Sequence, residues 1–253
     1  MIETDFAKGC RRATEVLDFV ARAQTAPSAR EIFEGLGLPR SSGYELLKGL
    51  LRNHYLEKRS DDRWVMGDEI QVLIMARFGL GRVAAQIPSV LSELQEVTQE
   101  TALLAVLNGT RVLVTHLFGS ARSVPFGHEI GAEFPVNWTA AGSLLLSTFD
   151  ERRLRSYLAA NTRVSPTGPG VVATEQLALD VREAKRRGYA IEIGHACQGI
   201  ASIAAPVADA RGECIAAVSL GLPVARMLNC QDTLVCLVRS AASKLTCSLS
   251  AEK

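Results

Sequence analysis

Arg40, Ser41, Ser42 and Tyr44 crowd into five residues directly after Leu38-Pro39, at the head of a leucine-rich segment. Those residue types at that spacing suit contact with a duplex. A guanidinium pairs bidentately with guanine in the major groove, and hydroxyls reach base edges or phosphates. Lys48 and Arg52 lie further along, and Lys58, Arg59 and Arg63 follow where phosphate or minor-groove contact is expected. Across residues 40–63 six basic side chains oppose four acidic ones. That excess is modest, so the same charges also suit the solvated surface of a winged helix that binds protein. Polar residues opening a helix after a tight turn favour DNA.

A second constellation has the outline of a hydrolase. Ala217-Val218-Ser219-Leu220-Gly221 matches the G-x-S-x-G nucleophile elbow except for its first glycine. His116, His128 or His195 would then be the base and Asp209 its orienter. An elbow needs its serine at a sharp strand-to-helix turn, whereas Ser219 lies inside the apolar run 214–222, which reads as strand. A strand serine facing a pocket or bonded within a sheet is the expected state, and no catalytic residue is assigned. His195-Ala196-Cys197 offers two metal-ligand types where a site needs three or four, so neither a metal nor a cofactor is implied. Gly168-Pro169-Gly170 lacks the G-K-[ST] ending of a phosphate loop.

The elements that must position these residues are legible from periodicity. In residues 10–23, Ala13, Val16, Leu17 and Val20 recur at helical spacing. Pro27 breaks the chain, and Ser28-Ala29-Arg30-Glu31 is a capping box that opens a helix bearing Ile32, Phe33 and Leu36 and closing at Gly37. A third helix over residues 40–53 buries Leu46, Leu47, Leu50 and Leu51. Two helices joined by a tight glycine-containing turn form a helix-turn-helix. Residues 55–58 and 63–66 then read as strands about Ser60-Asp61-Asp62, which completes a winged helix.

A helical connector follows over residues 67–82, apolar on more than one side, and a long helix is expected over 83–99. So hydrophobic a linker implies a covering partner chain. Beyond it, strands at 101–107 and 111–118 flank Asn108-Gly109-Thr110, a hairpin turn. Helices are predicted at about 140–149 and 150–160, a loop at 165–170, and a Thr174-capped helix with Leu177, Val181 and Ala184 on one face. Strands at 189–193, 199–208 and 213–220 precede a last helix capped by Asn229 and buried through Leu234, Val238, Ala241 and Leu245. Strands with helices segregated around them predict an α+β sheet rather than a doubly wound one.

The 253 residues carry 28 Lys+Arg against 27 Asp+Glu. Residues 1–66 hold 11 basic and 10 acidic side chains and the remainder 17 of each, so neither half is a polyanion-coating surface. The longest uncharged runs, 134–149 and 193–208, have 16 residues, short of the roughly 20 a spanning helix needs. The start lacks the basic and apolar regions of a secretion leader, and a cytoplasmic protein is expected. Six scattered cysteines without a C-x-x-C are expected to be reduced, mostly small buried hydrophobes, with no disulfide.

Collinear motifs over essentially the whole chain resemble the isocitrate lyase regulator (IclR)-type transcription factors. They are Arg12-Ala13…Val16-Leu17, Leu38-Pro39-Arg40-Ser41-Ser42, Arg63-Trp64-Val65-Met66-Gly67, Gly131…Pro135, Thr139-Ala140-Ala141-Gly142, Arg187-Gly188-Tyr189-Ala190, Ile203-Ala204-Ala205-Pro206-Val207 and Ala216-Ala217-Val218-Ser219. The resemblance implies a winged helix-turn-helix DNA-binding domain over 1–66, a linker helix over 67–82 and a GAF/PAS-like effector-binding domain over 83–253. It implies dimers or dimers of dimers on a palindromic operator, controlled by a small organic or aromatic acid. DNA contacts fall on Arg40, Ser41, Ser42, Tyr44, Lys48, Arg59 and Arg63. By motif match the effector pocket takes Ala140, Ala141, Glu192, Ser202, Ser219 and Gly221, with amides at the start of the 140–149 helix holding a carboxylate. Ser143 stands where the family usually has Lys, Asn137 where it often has His, and Glu192 where it has the shorter Asp. Trp138, Leu144 and Leu145 leave room for a larger aromatic ligand. The reading is a ligand-responsive regulator of a catabolic pathway and not an enzyme; the alternative is a hydrolase using Ser219 with a winged-helix appendage.

Overall fold

The computed structural model describes residues 5–119, 129–167 and 174–251, so His128 and the loop glycines Gly168 and Gly170 lie outside the described residues. The chain divides into two compact units, Met1–Arg77 and Phe78–Lys253.

The first unit contains α1 (Asp5–Arg22), α2 (Ala29–Leu36), α3 (Arg40–Arg52), β1 (Leu56–Lys58), β2 (Trp64–Met66) and α4 (Asp68–Arg77). The capping box forms in full: Glu31 N–H donates to Ser28 Oγ and Ser28 N–H to the Glu31 carboxylate, at 3.3 and 2.7 Å. Gly37 closes α2 in the left-handed conformation, with φ 61°, which costs glycine nothing. Val16, Val20, Ile32, Phe33, Leu47, Leu50, Leu56 and Trp64 make one core, drawn from the periodic positions of three helices and the hairpin. At Gly43 an added Cβ would lie 2.5 Å from the Phe33 ring, so α3 sits close against α2 because its second turn lacks a side chain there.

In the second unit a six-stranded antiparallel sheet runs β5-β4-β3-β8-β7-β6. Its strands are β3 (Thr101–Asn108), β4 (Arg111–Phe118), β5 (Glu133–Pro135), β6 (Ala190–Ile193), β7 (Ile200–Ala208) and β8 (Cys214–Pro223). The helices are α5 (Ile87–Thr98), α6 (Ala140–Leu145), α7 (Glu151–Asn161), α8 (Thr174–Arg187) and α9 (Val224–Ser250). Leu103, Ala105, Val112, Val114, Ala204 and Ala217 share a core with α6, α7 and α8. The alternate positions Leu104, Val106, Val218 and Leu220 are buried too, and α5 and α9 pack on the sheet. Burial on both faces is why these strands read as continuous apolar runs rather than alternations.

Three local expectations need correction. The helix expected over 83–99 is a 3-10 turn at Gly81–Gln86 followed by α5; Pro88, with no N–H to donate, sits in the first turn, where proline is tolerated. The last helix starts at Val224, and Cys230 has non-helical angles (φ −135°, ψ 21°). The cap signal at Asn229 therefore marks a kink rather than a beginning. No cysteine is buried: Cys10, Cys230, Cys236 and Cys247 are exposed and Cys197 and Cys214 are intermediate, all as free thiols. Cys236 and Cys247 each fall two residues past a buried position of α9, Leu234 and Leu245, and so on the helix's other side. Among the described residues no helix is long and apolar enough to cross a membrane.

Candidate nucleic-acid interface and ligand cavity

Arg40 opens α3 behind Pro39, which supplies no side-chain cap. Arg40, Ser41, Tyr44 and Lys48 are exposed on this helix. Among the described residues Arg40 has no acidic partner, whereas Lys48 pairs with Glu45 at 3.1 Å. Ser42 Oγ donates to the Pro39 carbonyl at 3.1 Å, so its proton is spent on the helix start. Tyr44 stands with its ring edge-on to Phe33, centroids 5.0 Å apart, yet keeps half its surface in solvent. Packing thus fixes the ring while leaving its hydroxyl end accessible.

On the wing, Arg59 is only loosely associated with Asp61, at 3.9 Å, and Lys58 pairs with Asp62. Arg63 behaves differently from the expected phosphate contact. Its Nη1 donates to the Ala26 carbonyl at 2.7 Å and lies 3.4 Å from Glu31, and its backbone bridges to Ser28. The guanidinium fastens the hairpin to the start of α2, which leaves Arg59 as the freer cation of the wing.

A cavity of about 590 Å³, including its mouth, lies in the second unit between the sheet and the start of α6. Ala141, Glu192, Ser202, Ser219 and Gly221 line it. Ala140 contributes from behind, its N–H donating to Ser202 Oγ at 3.2 Å. Sequence reasoning missed Thr101, Leu103, Ala105, Val112, Val114, Phe134 and Ile200 as lining residues. Leu103 with Ala105 and Val112 with Val114 carry the two-residue spacing of one strand face, the signal that would have found them. Trp138 lines the cavity, but Leu144 and Leu145 are packed in the core, and Asn137 and Ser143 line a neighbouring cleft instead.

The anion-holding amides expected at the start of the 140–149 helix are largely engaged. Helix α6 is six residues long, Ala140 N–H goes to Ser202, and Gly142 N–H goes to Thr139 Oγ1 at 3.0 Å. The hydrolytic arrangement does not assemble either. Ser219 is paired on both sides in the middle of the sheet and donates to the Ile203 carbonyl at 3.1 Å. His116 is buried opposite Leu104, because a bulge at Thr115 shifts the β3–β4 register between Leu104 and Ala105. Ala105 faces the cavity, so His116 faces the other side of the sheet. Among the described residues no group of three His, Cys, Asp or Glu is placed to hold a metal ion.

Glu192 is the acid of this site. Oε1 accepts the His195 N–H and lies 3.3 Å from His195 Nδ1, and Oε2 accepts the Ser202 hydroxyl at 3.4 Å. Burial pushes its carboxyl up from 4.5 to about 7 against these hydrogen bonds. The folded state then holds this proton more tightly than the unfolded chain, so Glu192 lowers stability progressively as pH rises from about 4.5 to 7. Glu192→Gln is expected to remove that slope and to be more stable than wild type by up to about 3 kcal/mol at pH 8, converging near pH 4.5. Urea denaturation across that range checks it; parallel pH curves for the two proteins would refute it.

The family model described as the C-terminal domain of the bacterial transcriptional regulator IclR matches residues 81–247, and the IclR helix-turn-helix model matches residues 10–60. The chain belongs to the IclR family. Its relatives are transcriptional regulators, not enzymes. The glycerol operon regulatory protein of Streptomyces griseus is 28% identical over 248 residues, covering 95% of each chain. The crystal structure of the Agrobacterium tumefaciens repressor BlcR is 26% identical, with a TM-score of 0.60 over 99% of this chain and 100% of that one. An IclR homolog from Microbacterium hydrocarbonoxydans, solved in complex with 4-hydroxybenzoate, shares the fold at 23% identity and a TM-score of 0.60 over 96% of this chain and 100% of that one. As an IclR-family protein the chain is a DNA-binding transcriptional regulator with an effector-binding domain.

Proposed function

We propose that this IclR-family chain is a cytoplasmic regulator of a catabolic pathway that binds a palindromic operator as a dimer or a dimer of dimers. Residues 1–66 read DNA, 67–82 connect, and 83–253 receive a small organic or aromatic acid. The observation that carries the DNA reading is Arg40, solvent-exposed at the head of α3 and without an ionic partner among the described residues. It reads a guanine edge, Ser41, Ser42 and Tyr44 contact bases or phosphates, and Lys48 and Arg59 neutralise phosphates. Exposed Leu73 and Ile74 on α4 support a covering second chain. Half-sites are then spaced by about 34 Å or a multiple.

The effector is held by Ala140, Ala141, Glu192, Ser202, Ser219 and Gly221 against apolar walls. The Microbacterium homolog's 4-hydroxybenzoate supports a ligand of aromatic-acid size. Gel shifts on the chain's own upstream region, at two salt concentrations with and without aromatic and aliphatic acids, test the proposal. A specific shift that an acid strengthens or releases is expected. Equal affinity for random duplex, or a specific shift that no acid alters, would contradict it.

A further inference from the structure

The ligand cavity contains one ionisable carboxyl, and none of its described lining residues is Lys, Arg or His. His195 approaches Glu192 Oε1 from the neighbouring cleft, where Asp180, Glu183 and Arg187 also lie. Arg187 is itself paired with Glu183. Oε2 lies beside Ser202, which also lines the cavity, and accepts its neutral hydroxyl at 3.4 Å.

A simple acid in this cavity would set its carboxyl beside that of Glu192 among Leu103, Val112, Val114 and Ile200, and none of the described lining residues offers a positive charge to offset either, so one of the two would have to hold a proton. Two like charges in an apolar enclosure cannot both stay ionised at little cost. The walls also present Phe134 and Trp138, and aromatic rings together with a carboxylate are the surroundings in which an organic ammonium is held.

We infer that the effector is an acid that also bears a protonated amine, and that Glu192 is the counter-ion of that amine. This rests on the reading that the cavity is the effector site and that the effector is an acid. The ligand is then neutral overall, and its ammonium supplies a positive charge that the described lining residues do not. The ammonium donates to Oε2 of Glu192, while Ser202 turns its hydroxyl to the same oxygen. An ammonium at that place also favours ionised Glu192, opposing the burial that raises its carboxyl.

Benzoate, benzylamine and 4-(aminomethyl)benzoate separate the two charges on one ring size. Titration calorimetry of the full chain is expected to show both amines binding wild type. Glu192→Gln should weaken each at least tenfold, Glu192→Asp should keep their affinity within a few-fold, and benzoate should bind Glu192→Gln no more weakly than wild type. A cooperative thermal unfolding transition of the second unit, retained by each variant, shows that it is folded. Benzoate binding wild type as tightly as the amines, amines indifferent to Glu192→Gln, or neither amine binding at millimolar concentration would each overturn the inference. If benzylamine binds through Glu192 and the added carboxylate contributes nothing, the amine stands and the acid reading falls. Amine binding that leaves operator affinity unchanged would remove the regulatory reading alone.

Discussion

Gly142→Ala is expected to destabilise the second unit by about 3 kcal/mol or more, with loss of ligand binding. A Cβ at Gly142 would sit 1.9 Å from the Val136 carbonyl oxygen and 2.9 Å from its Cα. Those are backbone atoms, so no rotamer change relieves the overlap. Either α6 or the 3-10 turn Val136–Trp138 must move, and between them they carry Trp138, Thr139 and Ala141 into the cavity. Gly49 is the control: it is helical, nothing lies within 4 Å of its added Cβ, and alanine there should gain up to about 1 kcal/mol in the first unit. Thermal denaturation of the two variants distinguishes close approach from mere helix propensity. Wild-type stability of Gly142→Ala would mean that the turn and helix are not in contact.

Arg40→Ala is expected to erase discrimination between operator and random duplex. A bidentate guanidinium–guanine pair contributes about 1–3 kcal/mol, and a dimer loses two, about 2–6 kcal/mol or roughly 30-fold to 10⁴-fold in specific affinity. No acidic side chain among the described residues pairs with Arg40, which leaves its charge available to DNA. Arg59→Ala should instead weaken specific and random duplexes alike and lower the salt slope by about one per half-site. Fluorescence anisotropy at several salt concentrations reads both effects. Equal losses for the two variants on both duplexes would contradict the division of roles. Arg63→Ala belongs to neither class, because that guanidinium ties the wing to Ala26 and Glu31.

Much of the local structure was legible because its causes lie within a turn or two of chain. The Ser28–Glu31 box, the Gly37 cap and the hydrophobic stripes of α1 and α2 formed as the residue types demand, while on α3 Leu47 and Leu50 are buried but Leu51, expected with them, is exposed. The collinear motifs sufficed to place the chain among the IclR regulators. Signals of the same kind misled where a longer-range contact overrode them. Asn229 has the composition of a cap, yet α9 runs through it from Val224 and only kinks at Cys230. Arg63, a wing cation by sequence, also ties the wing to the Ala26 carbonyl, a bond between positions 37 residues apart that no local pattern shows.

The sequence by itself determined the helix stripes, the apolar strand runs, the near-neutral charge and the polar head of α3, since each is a property of neighbouring residues. Tertiary structure alone decided which side of the sheet each strand residue faces and which charges stay free. One extra residue at Thr115 sends His116 away from the cavity while leaving Val114 in it. Glu192, Ser202 and Ala140 join in one hydrogen-bonded chain although Ala140 and Ser202 are 62 positions apart. No local pattern encodes such a meeting, because strand order, register and the close approach at Gly142 arise only when both faces of the sheet are packed at once.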